Sequence, residues 1–339
     1  MTDKVTGFDV ARLAGVSQPT VSRALRNLPG LAPETRRRVL AAAAQLAYIP
    51  SDSGRTLSTR TTRRIAVVSD ELTNPFYPEL IQPIGRHLAD ADLRPVLVTD
   101  TEHSGVDVDA LADGSYDGVI LTTTTRRSAL PRDLSERGVP HVLVNRLLDE
   151  AESPSCAVDN AAGARQVCDL LAGLGHRIVA AVHGPVETST GNERAQALRA
   201  GLREHGIALP RALVRRVPFD HDAGCRAALE LLAEQPRPTA IVCGNDVLAL
   251  GALSAARALR VRVPEEVTVV GFDDIGPSSW PLADLTTVRC DLDALARTAV
   301  ALLRREIAGA YGSVRVPATV RLPVFLVPRG THGPAPRSA

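Results

Sequence analysis

The chain has 339 residues, 45% of them hydrophobic and 23% charged, with 39 Lys+Arg against 38 Asp+Glu. That length exceeds one ordinary domain and supports two or three, each with its own core. No run approaches about 18 uncharged apolar residues, and the opening MTDKVTGFDV lacks an export signal's apolar stretch, so a cytoplasmic protein without a membrane span is expected. The near-neutral total hides an asymmetry. Residues 1–64 carry 11 Lys+Arg and 4 Asp+Glu, leaving 28 basic and 34 acidic groups for 65–339. A small polyanion-binding head on a mildly acidic body follows from this split.

The head opens with TGFDVARLAGVSQPTVSRAL, residues 6–25, which reads as two short helices joined by a tight turn. Thr6 and Asp9 form a capping-box pattern, and Val10, Ala11 and Ala14 line one helix face. Gly15 stands where a left-handed residue ends a helix, Ser17 is a cap for the next, and Pro19 falls in its first turn. Val21, Ala24 and Leu25 face inward, leaving Gln18, Thr20, Ser22, Arg23 and Arg26 outward as donors and acceptors for base edges and phosphates. Two short helices also occur as ordinary core packing; the coincident charge favours a helix-turn-helix that reads DNA. Pro33 and Glu34 open a third helix running to about Leu46. From Ser51 to Arg64 Leu57 is almost the only apolar residue, among Arg55, Arg60, Arg63 and Arg64. Both a basic linker and an apolar wedge for the minor groove remain open there.

From Ile65 short β-branched runs alternate with amphipathic helical stretches. The runs are IAVVSD, PVLVTD, GVILTTT, HVLVN, IVAAVHG, LVRRVPF, AIVCGND and VTVVGFDD. Helical segments fall at Pro78–Asp90, Ala161–Leu174, Glu193–His205, Ala223–Ala233 and Leu248–Leu259. This alternation predicts two doubly wound α/β lobes with parallel sheets, with Cys156–Asn160 as a first passage between them. Ligands bind outside the carboxyl ends of such strands. The residues there are polar or aromatic: Asn74, Phe76 and Tyr77, then Thr188, Thr190 and Arg194, then Phe219, Asn245, Asp273 and Asp274. Asp accepts two hydroxyls, Arg and Asn donate, and Phe covers a ring face, which suits a small hydroxylated ligand. Each also has a structural alternative: a cap or Arg partner for Asp273 and Asp274, a turn for Asn245, core packing for Phe76 and Phe219.

DVARLAGVSQPTVSRAL, PETRRRVLAAAAQLAYIP, NPFY, YDGVIL, VDNAAGA, LGHR, PTAIVCGNDVLALGAL, VRVPEEVTVVGFDDI and LTTVR, in this order, resemble the LacI/GalR family of bacterial transcriptional repressors from Thr6 to about Thr331. The resemblance implies an all-α helix-turn-helix head at 1–50, a hinge at 51–64 and a two-lobed body at 65–330 like periplasmic sugar-binding proteins. Lobe 1 is then about 65–160 and 291–320, lobe 2 about 161–290 and 321–330, with a disordered tail at 331–339. It further implies a homodimer on a pseudo-palindromic operator and a small effector between the lobes. Thr6, Ser17, Gln18, Pro19, Thr20, Ser22, Arg23, Arg26 and Arg55 are the expected DNA-facing residues, and Leu57 matches the hinge leucine that enters the minor groove. Phe76, Tyr77, Thr188, Thr190, Arg194, Phe219, Asn245 and Asp273 are the expected effector residues. A sugar is the expected effector, and a purine or nucleoside is the alternative.

Departures from the family pattern carry consequences. Gly54 in place of a hinge alanine costs about 1 kcal/mol of helix formation, and Ala32 in place of a Ser/Thr cap about the same. The stretch His103–Ser115 is short, which weakens the second helix of lobe 1. The tail lacks leucine heptads, so a dimer rather than a coiled-coil tetramer is expected.

Other classes find less support. GxxxxGK[ST], HExxH, GxSxG and a strand-to-helix GxGxxG are all absent, so no enzyme and no cofactor are expected. Cys156, Cys168, Cys225, Cys243 and Cys290 form no CxxC pair and no metal spacing, which argues for buried small hydrophobes over a redox sensor. A solute-binding protein for transport would share the two-lobed body but not the basic head.

Overall fold

The computed structural model describes residues 5–48, 61–99, 106–150, 153–309 and 319–336. Contacts divide the chain into two units, with the boundary between Thr62 and Arg63. The hinge positions Gly54, Arg55 and Leu57 lie outside the described residues.

The first unit holds three helices, α1 (Gly7–Ala14), α2 (Gln18–Leu25) and α3 (Pro33–Gln45). The Asp9 carboxylate accepts from both the Thr6 amide (3.0 Å) and the Thr6 hydroxyl (2.8 Å), fixing the start of α1. Gly15 ends it at φ 63°, a left-handed conformation in which a side chain would be strained. Ser17 stands at the N-cap of α2, but its hydroxyl pairs with Thr20 Oγ1 at 2.9 Å instead of capping a helix amide. Val10, Ala14, Val21, Ala24, Val39 and Ala43 form the buried centre where the three helices meet. Arg36 on α3 donates to the carbonyls of Ala24 (3.1 Å) and Leu28 (2.6 Å), satisfying acceptors at the end of α2 and just beyond it. Ala32 starts α3 with no side-chain cap.

The second unit contains two parallel sheets. In lobe 1, β1 (Arg64–Val68), β2 (Arg94–Val98), β3 (Gly118–Leu121), β4 (His141–Val144), β5 (Ser155–Val158) and β11 (Thr319–Leu322) lie in the order β11-β5-β4-β3-β1-β2. In lobe 2, β6 (Val179–His183), β7 (Val214–Arg216), β8 (Ala240–Cys243) and β9 (Thr268–Val270) lie in the order β7-β6-β8-β9. Both orders start from a first strand and build outward on either side, so the topological switch falls between β1 and β3 and between β6 and β8. An antiparallel pair, β10 (Thr287–Cys290) with β12 (Val324–Val327), joins the lobes.

The helices α4 (Phe76–Asp90), α5 (Val108–Ala112), α6 (Leu130–Glu136), α7 (Asn160–Gly173), α8 (Ser189–Glu204), α9 (His221–Ala233), α10 (Asp246–Ala258) and α11 (Leu292–Gly309) cover the sheets. α5 has only five residues, in line with the shortness expected of that stretch. The β-branched runs are buried along their lengths in β1, β3, β4, β6 and β8, as strands covered on both faces require.

The expected disordered tail from 331 is corrected over its first residues. Thr331 is buried, donates to the Val269 carbonyl at 2.7 Å and accepts from the Thr286 amide at 2.9 Å. His176, from the LGHR motif, donates from Nε2 to the Gly333 carbonyl at 3.0 Å, and the Ala335 amide bonds Leu174. Gly and Pro give this segment a disordered composition, but its backbone finds partners in the lobe-2 core.

Candidate functional site

In the first unit, Gln18, Pro19 and Arg23 are exposed on or at the start of α2, while Thr20, Ser22 and Arg26 are half-buried. Thr6 and Ser17 flank this surface and are exposed. The Arg23 guanidinium donates to the Pro29 carbonyl at 3.2 Å, which holds it beside the turn after α2. The outward face of α2 is thus polar and basic, without a carboxylate of its own. A helix with this face, supported by two packed helices, has the form of a major-groove reader.

In the second unit, Arg194 on α8 and Asp273 after β9 form a buried ion pair at 2.9 Å. Arg194 also donates to Asn160 Oδ1 (2.8 Å) and to the Gly244 carbonyl (2.7 Å), and its guanidinium lies 3.7 Å from the centre of the Phe272 ring. Burial pushes the Asp273 carboxyl up to about 7 against the opposing pull of Arg194. Asp273 holds φ 118° and Asp274 φ 59°, both sparsely populated for residues with side chains. Asp274 is pinned by Arg289 (2.6 Å) and Arg329 (2.5 Å). Next to this pair Asp246 is fully buried and accepts from Thr287 (2.5 Å), Ser278 (2.7 Å) and the Ile275 amide (3.0 Å), which anchors the loop after β9.

Lobe 1 contributes a second polar group. Arg146, after β4, bonds Glu71 at 2.6 Å and the Thr123 carbonyl at 3.1 Å, and lies over the Tyr77 ring at 5.5 Å. Tyr77 meets Phe76 edge-on at 5.3 Å. Burial raises the Tyr77 hydroxyl's pKa, and Arg146, Glu71, Asp273 and Arg194 all act on it electrostatically. The Phe76–Tyr77 pair shares a buried cluster with Phe272, the ring that lies under Arg194. Among the described residues, the buried side-chain atoms without a hydrogen-bond partner are Ser69 Oγ, Glu71 Oε2, Asn145 Oδ1 and Arg146 Nε. All four follow β1 or β4 at the carboxyl edge of the lobe-1 sheet. Buried polar atoms without partners are costly and rare in native structures. Asn145 also has a positive φ of 69°. Strained backbone and unsatisfied groups thus coincide at the edge where a ligand of this fold binds.

Phe76, Tyr77, Arg194 and Asp273 come together in this region. Thr190 is buried on the same helix as Arg194. Thr188 and Asn245 are engaged as helix caps. The Thr188 hydroxyl accepts from the Gly191 amide (3.1 Å) and donates to the Pro185 carbonyl (3.0 Å), and Asn245 Oδ1 accepts from the Leu248 amide (3.0 Å). Phe219 is half-buried against Gly184, where an added Cβ would come within 2.1 Å of its ring. Ser69, Glu71, Asn145, Arg146, Asn160 and Phe272 are additions to the expected set. The signal for the first four was present: IAVVSD-Glu71 and HVLV-Asn145-Arg146 are strand ends like those selected in lobe 2.

The lobes touch through specific bonds. The Arg126 amide donates to the Glu187 carbonyl at 2.8 Å and its guanidinium to the Val186 carbonyl at 3.2 Å, while Nε bonds Asp149 at 2.7 Å. The Leu147 amide donates to Ser189 Oγ (2.9 Å), the Gly276 amide to Glu79 (2.9 Å), and Arg321 pairs with Glu193 (2.8 Å).

Among the described residues no cluster of His, Cys, Asp or Glu is arranged to hold a metal, and no helix is long and apolar enough to cross a membrane. The five cysteines are unpaired thiols, and burial raises Cys156 and Cys168 to about 12. At these two positions that disfavours the thiolate needed for redox sensing.

Residues 8–51 match the model of bacterial regulatory proteins of the lacI family, and residues 168–332 match a periplasmic binding protein-like domain. The chain is 35% identical to the HTH-type transcriptional regulator CelR of Thermobifida fusca, over 88% of this chain and 91% of that one. It is 33% identical to the HTH-type transcriptional repressor CytR of Escherichia coli strain K12, over 89% and 90%. Among solved structures it is similar to a complex of the transcriptional regulator CelR with cellobiose, at 32% identity and TM-score 0.74, over 97% of this chain and 100% of that one. It is also similar to the lac repressor dimer bound to operator and the anti-inducer ONPF, at 28% identity and TM-score 0.86, over 97% and 99%. The chain belongs to the lacI family of bacterial regulatory proteins and is a DNA-binding transcriptional regulator.

Proposed function

We propose that this regulator is a repressor whose grip on a pseudo-palindromic operator is set by a small uncharged sugar held between its lobes. The carrying observation is the set of four buried, unpartnered atoms on Ser69, Glu71, Asn145 and Arg146 at the carboxyl edge of the lobe-1 sheet, with Arg146 lying over the Tyr77 ring. Sugar hydroxyls both donate and accept, so one ring can give protons to Glu71 and Asp273 and take them from Arg146 and Arg194. Phe76 and Tyr77 supply apolar surface for its carbon face. The similar CelR was solved with cellobiose, which supports the same ligand class here.

The division of labour follows the sequence expectation: a head at 1–50, a hinge at 51–64 and a sensing body beyond. Two heads of a homodimer place α2 in successive major grooves, with Gln18 and Pro19 at the base edges and Thr20, Ser22 and Arg23 at bases and phosphates. The Leu57 pair opens the central step from the minor groove. The sugar acts through its differential affinity for two lobe arrangements, which bias the hinge. Non-enzymatic action follows from this reading.

Calorimetry of the purified protein with neutral sugars and nucleosides, in wild type and Asp273→Ala, tests the assignment. Micromolar binding of a sugar that Asp273→Ala abolishes, with operator affinity retained, supports it. Nucleoside binding alone removes the sugar reading, and an unaffected variant removes this site.

A further inference from the structure

Two adjacent arginines on β7, the edge strand of the lobe-2 sheet, face opposite surroundings. Residues along β6 alternate between two cores: Val179 and Ala181 share one with Leu198 and Leu202 of α8, Ala180 and Val182 the other with Leu231 of α9. Arg215 of β7 turns to the α9 side, where Glu230 (2.7 Å) and Glu234 (3.2 Å) neutralise it. Arg216 turns to the α8 side and donates from Nη1 to the carbonyls of Gly184 (2.9 Å) and Gly191 (3.4 Å). His183 is its register partner on β6 and continues the alternation onto that same side. Arg199 of α8 completes the group and donates from Nη1 to the Leu209 carbonyl at 2.7 Å. Neither Arg199 nor Arg216 pairs with a carboxylate among the described residues, and both leave Nε and Nη2 without a partner there.

Only 4% of His183 is exposed, yet its ring makes no hydrogen bond among the described residues. Its nitrogens are not among the fully enclosed unpartnered atoms, so the ring keeps an opening to solvent. Burial and then the charges of Arg216 and Arg199 push its pKa down to about 3, leaving a neutral imidazole with one N–H to give at neutral pH. Partial burial opposes the charge on Arg216, exposed Glu187 favours it without pairing, and Arg199 opposes it again. An anion at this point relieves both repulsions.

We propose that His183, Arg199 and Arg216 form an anion site at the β7 edge of lobe 2 that takes a phosphate group, free or carried by a small metabolite. It lies across β6 from the Arg194–Asp273 pair, because Arg194 reaches toward β8 through the Gly244 carbonyl, and it is independent of what the cleft binds. Both guanidiniums offer donors only, and the imidazole adds an N–H in the tautomer that faces them, so the ligand's contacting atoms must accept. Two guanidiniums also supply two positive charges. A dianionic tetrahedral phosphate answers both and presents oxygens to donors from two strands and a helix. A planar carboxylate carries one charge and leaves one cation uncompensated.

Calorimetric titration of the full chain at constant ionic strength, with inorganic phosphate and with glycerol 3-phosphate, tests the site. At least one probe should bind, and Arg216→Gln and Arg199→Gln should each weaken that binding about tenfold, as loss of one charged hydrogen bond does. Both positions are exposed, and each variant serves should the other fail to fold. Arg215→Gln, which removes the same charge one residue away, should leave the binding unchanged. Affinity for inorganic phosphate equal to or above that for the ester supports the free anion as ligand, and a tighter ester supports a metabolite. Three results overturn the site: no binding of either probe, equal losses in Arg215→Gln and Arg216→Gln, or binding indifferent to Arg199 and Arg216, as phosphate held by the basic head would be.

Discussion

Arg194 Nη2 and Asp273 Oδ1 lie 2.9 Å apart, in side chains each only 6% exposed. The pair joins α8 to the strained loop after β9, so its integrity decides both the stability of lobe 2 and the position of the two groups assigned to the ligand. Removing one partner of a buried pair leaves an uncompensated charge, at a cost of about 3–5 kcal/mol. Arg194→Ala should lose that amount at pH 8.5 by denaturant titration. The loss should be smaller at pH 5.5. The Asp273 carboxyl, already raised to about 7, rises further without its cation. A group raised in the folded state contributes most below its unfolded value of about 3.9 and loses that contribution as pH climbs through the folded value. A pH-independent loss would contradict the pairing.

The same carboxyl predicts how sensing depends on pH. Below about 7 Asp273 is protonated and no longer serves as a charged acceptor for a hydroxyl. Effector affinity should therefore fall as pH drops from 8 to 6, with a midpoint near 7, while that of a head-only property such as nonspecific DNA binding should show no matching midpoint. Calorimetry across this range checks it; a flat profile removes Asp273 from ligand contact.

Arg126 joins the lobes through the Val186 and Glu187 carbonyls. Its side chain holds one of these bonds and the Asp149 contact, so Arg126→Ala weakens the closed arrangement without touching the ligand centre. Effector affinity should fall about three- to tenfold through the reduced population of the closed state. Small-angle scattering of the free protein should show a wider average separation of the lobes. Unchanged affinity and scattering would show that the contact does not bias closure.

The head gives a separate prediction. Arg23→Ala should weaken specific and nonspecific binding together and lower the slope of log K against log salt by about 0.9, as loss of one phosphate contact does. Gln18→Ala should relax preference at one or two base positions with little change in slope. Leu57→Ala should weaken operator binding far more than nonspecific binding. Equal losses would remove the wedge assignment.

Much of the fold was legible because its determinants are local. The runs IAVV, GVIL, HVLV, VAAVH, AIVC and TVV are buried on both faces, and their unbroken apolar character shows directly in the sequence. β10, β11 and β12 were not legible. TVRC, TVRL and VFLV are four-residue strands, and β11 is an edge strand with half of its residues exposed, so no continuous apolar run marks it. The tail failed for the opposite reason, since its composition reads as disorder while Thr331 and Gly333 are fixed by partners more than 60 residues away. At the site, Arg194 and Asp273 stood out by resemblance and by position at strand ends. Glu71 and Arg146 also stand at strand ends, but only tertiary contact reveals that the atoms left over from their ion pair lack partners. Thr188 and Asn245 show the limit of the strand-end rule, since whether such an oxygen meets a helix amide or a ligand is decided by packing.

The most direct test of the whole account is a binding titration of the full chain against the DNA upstream of its own gene and neighbouring genes, at several salt concentrations, with and without each neutral sugar. The account predicts specific binding at about 10⁻⁸ M or tighter, weakened by salt and shifted at least tenfold by one uncharged sugar. Tight specific binding indifferent to every sugar, while a nucleoside shifts it, would contradict the central claim.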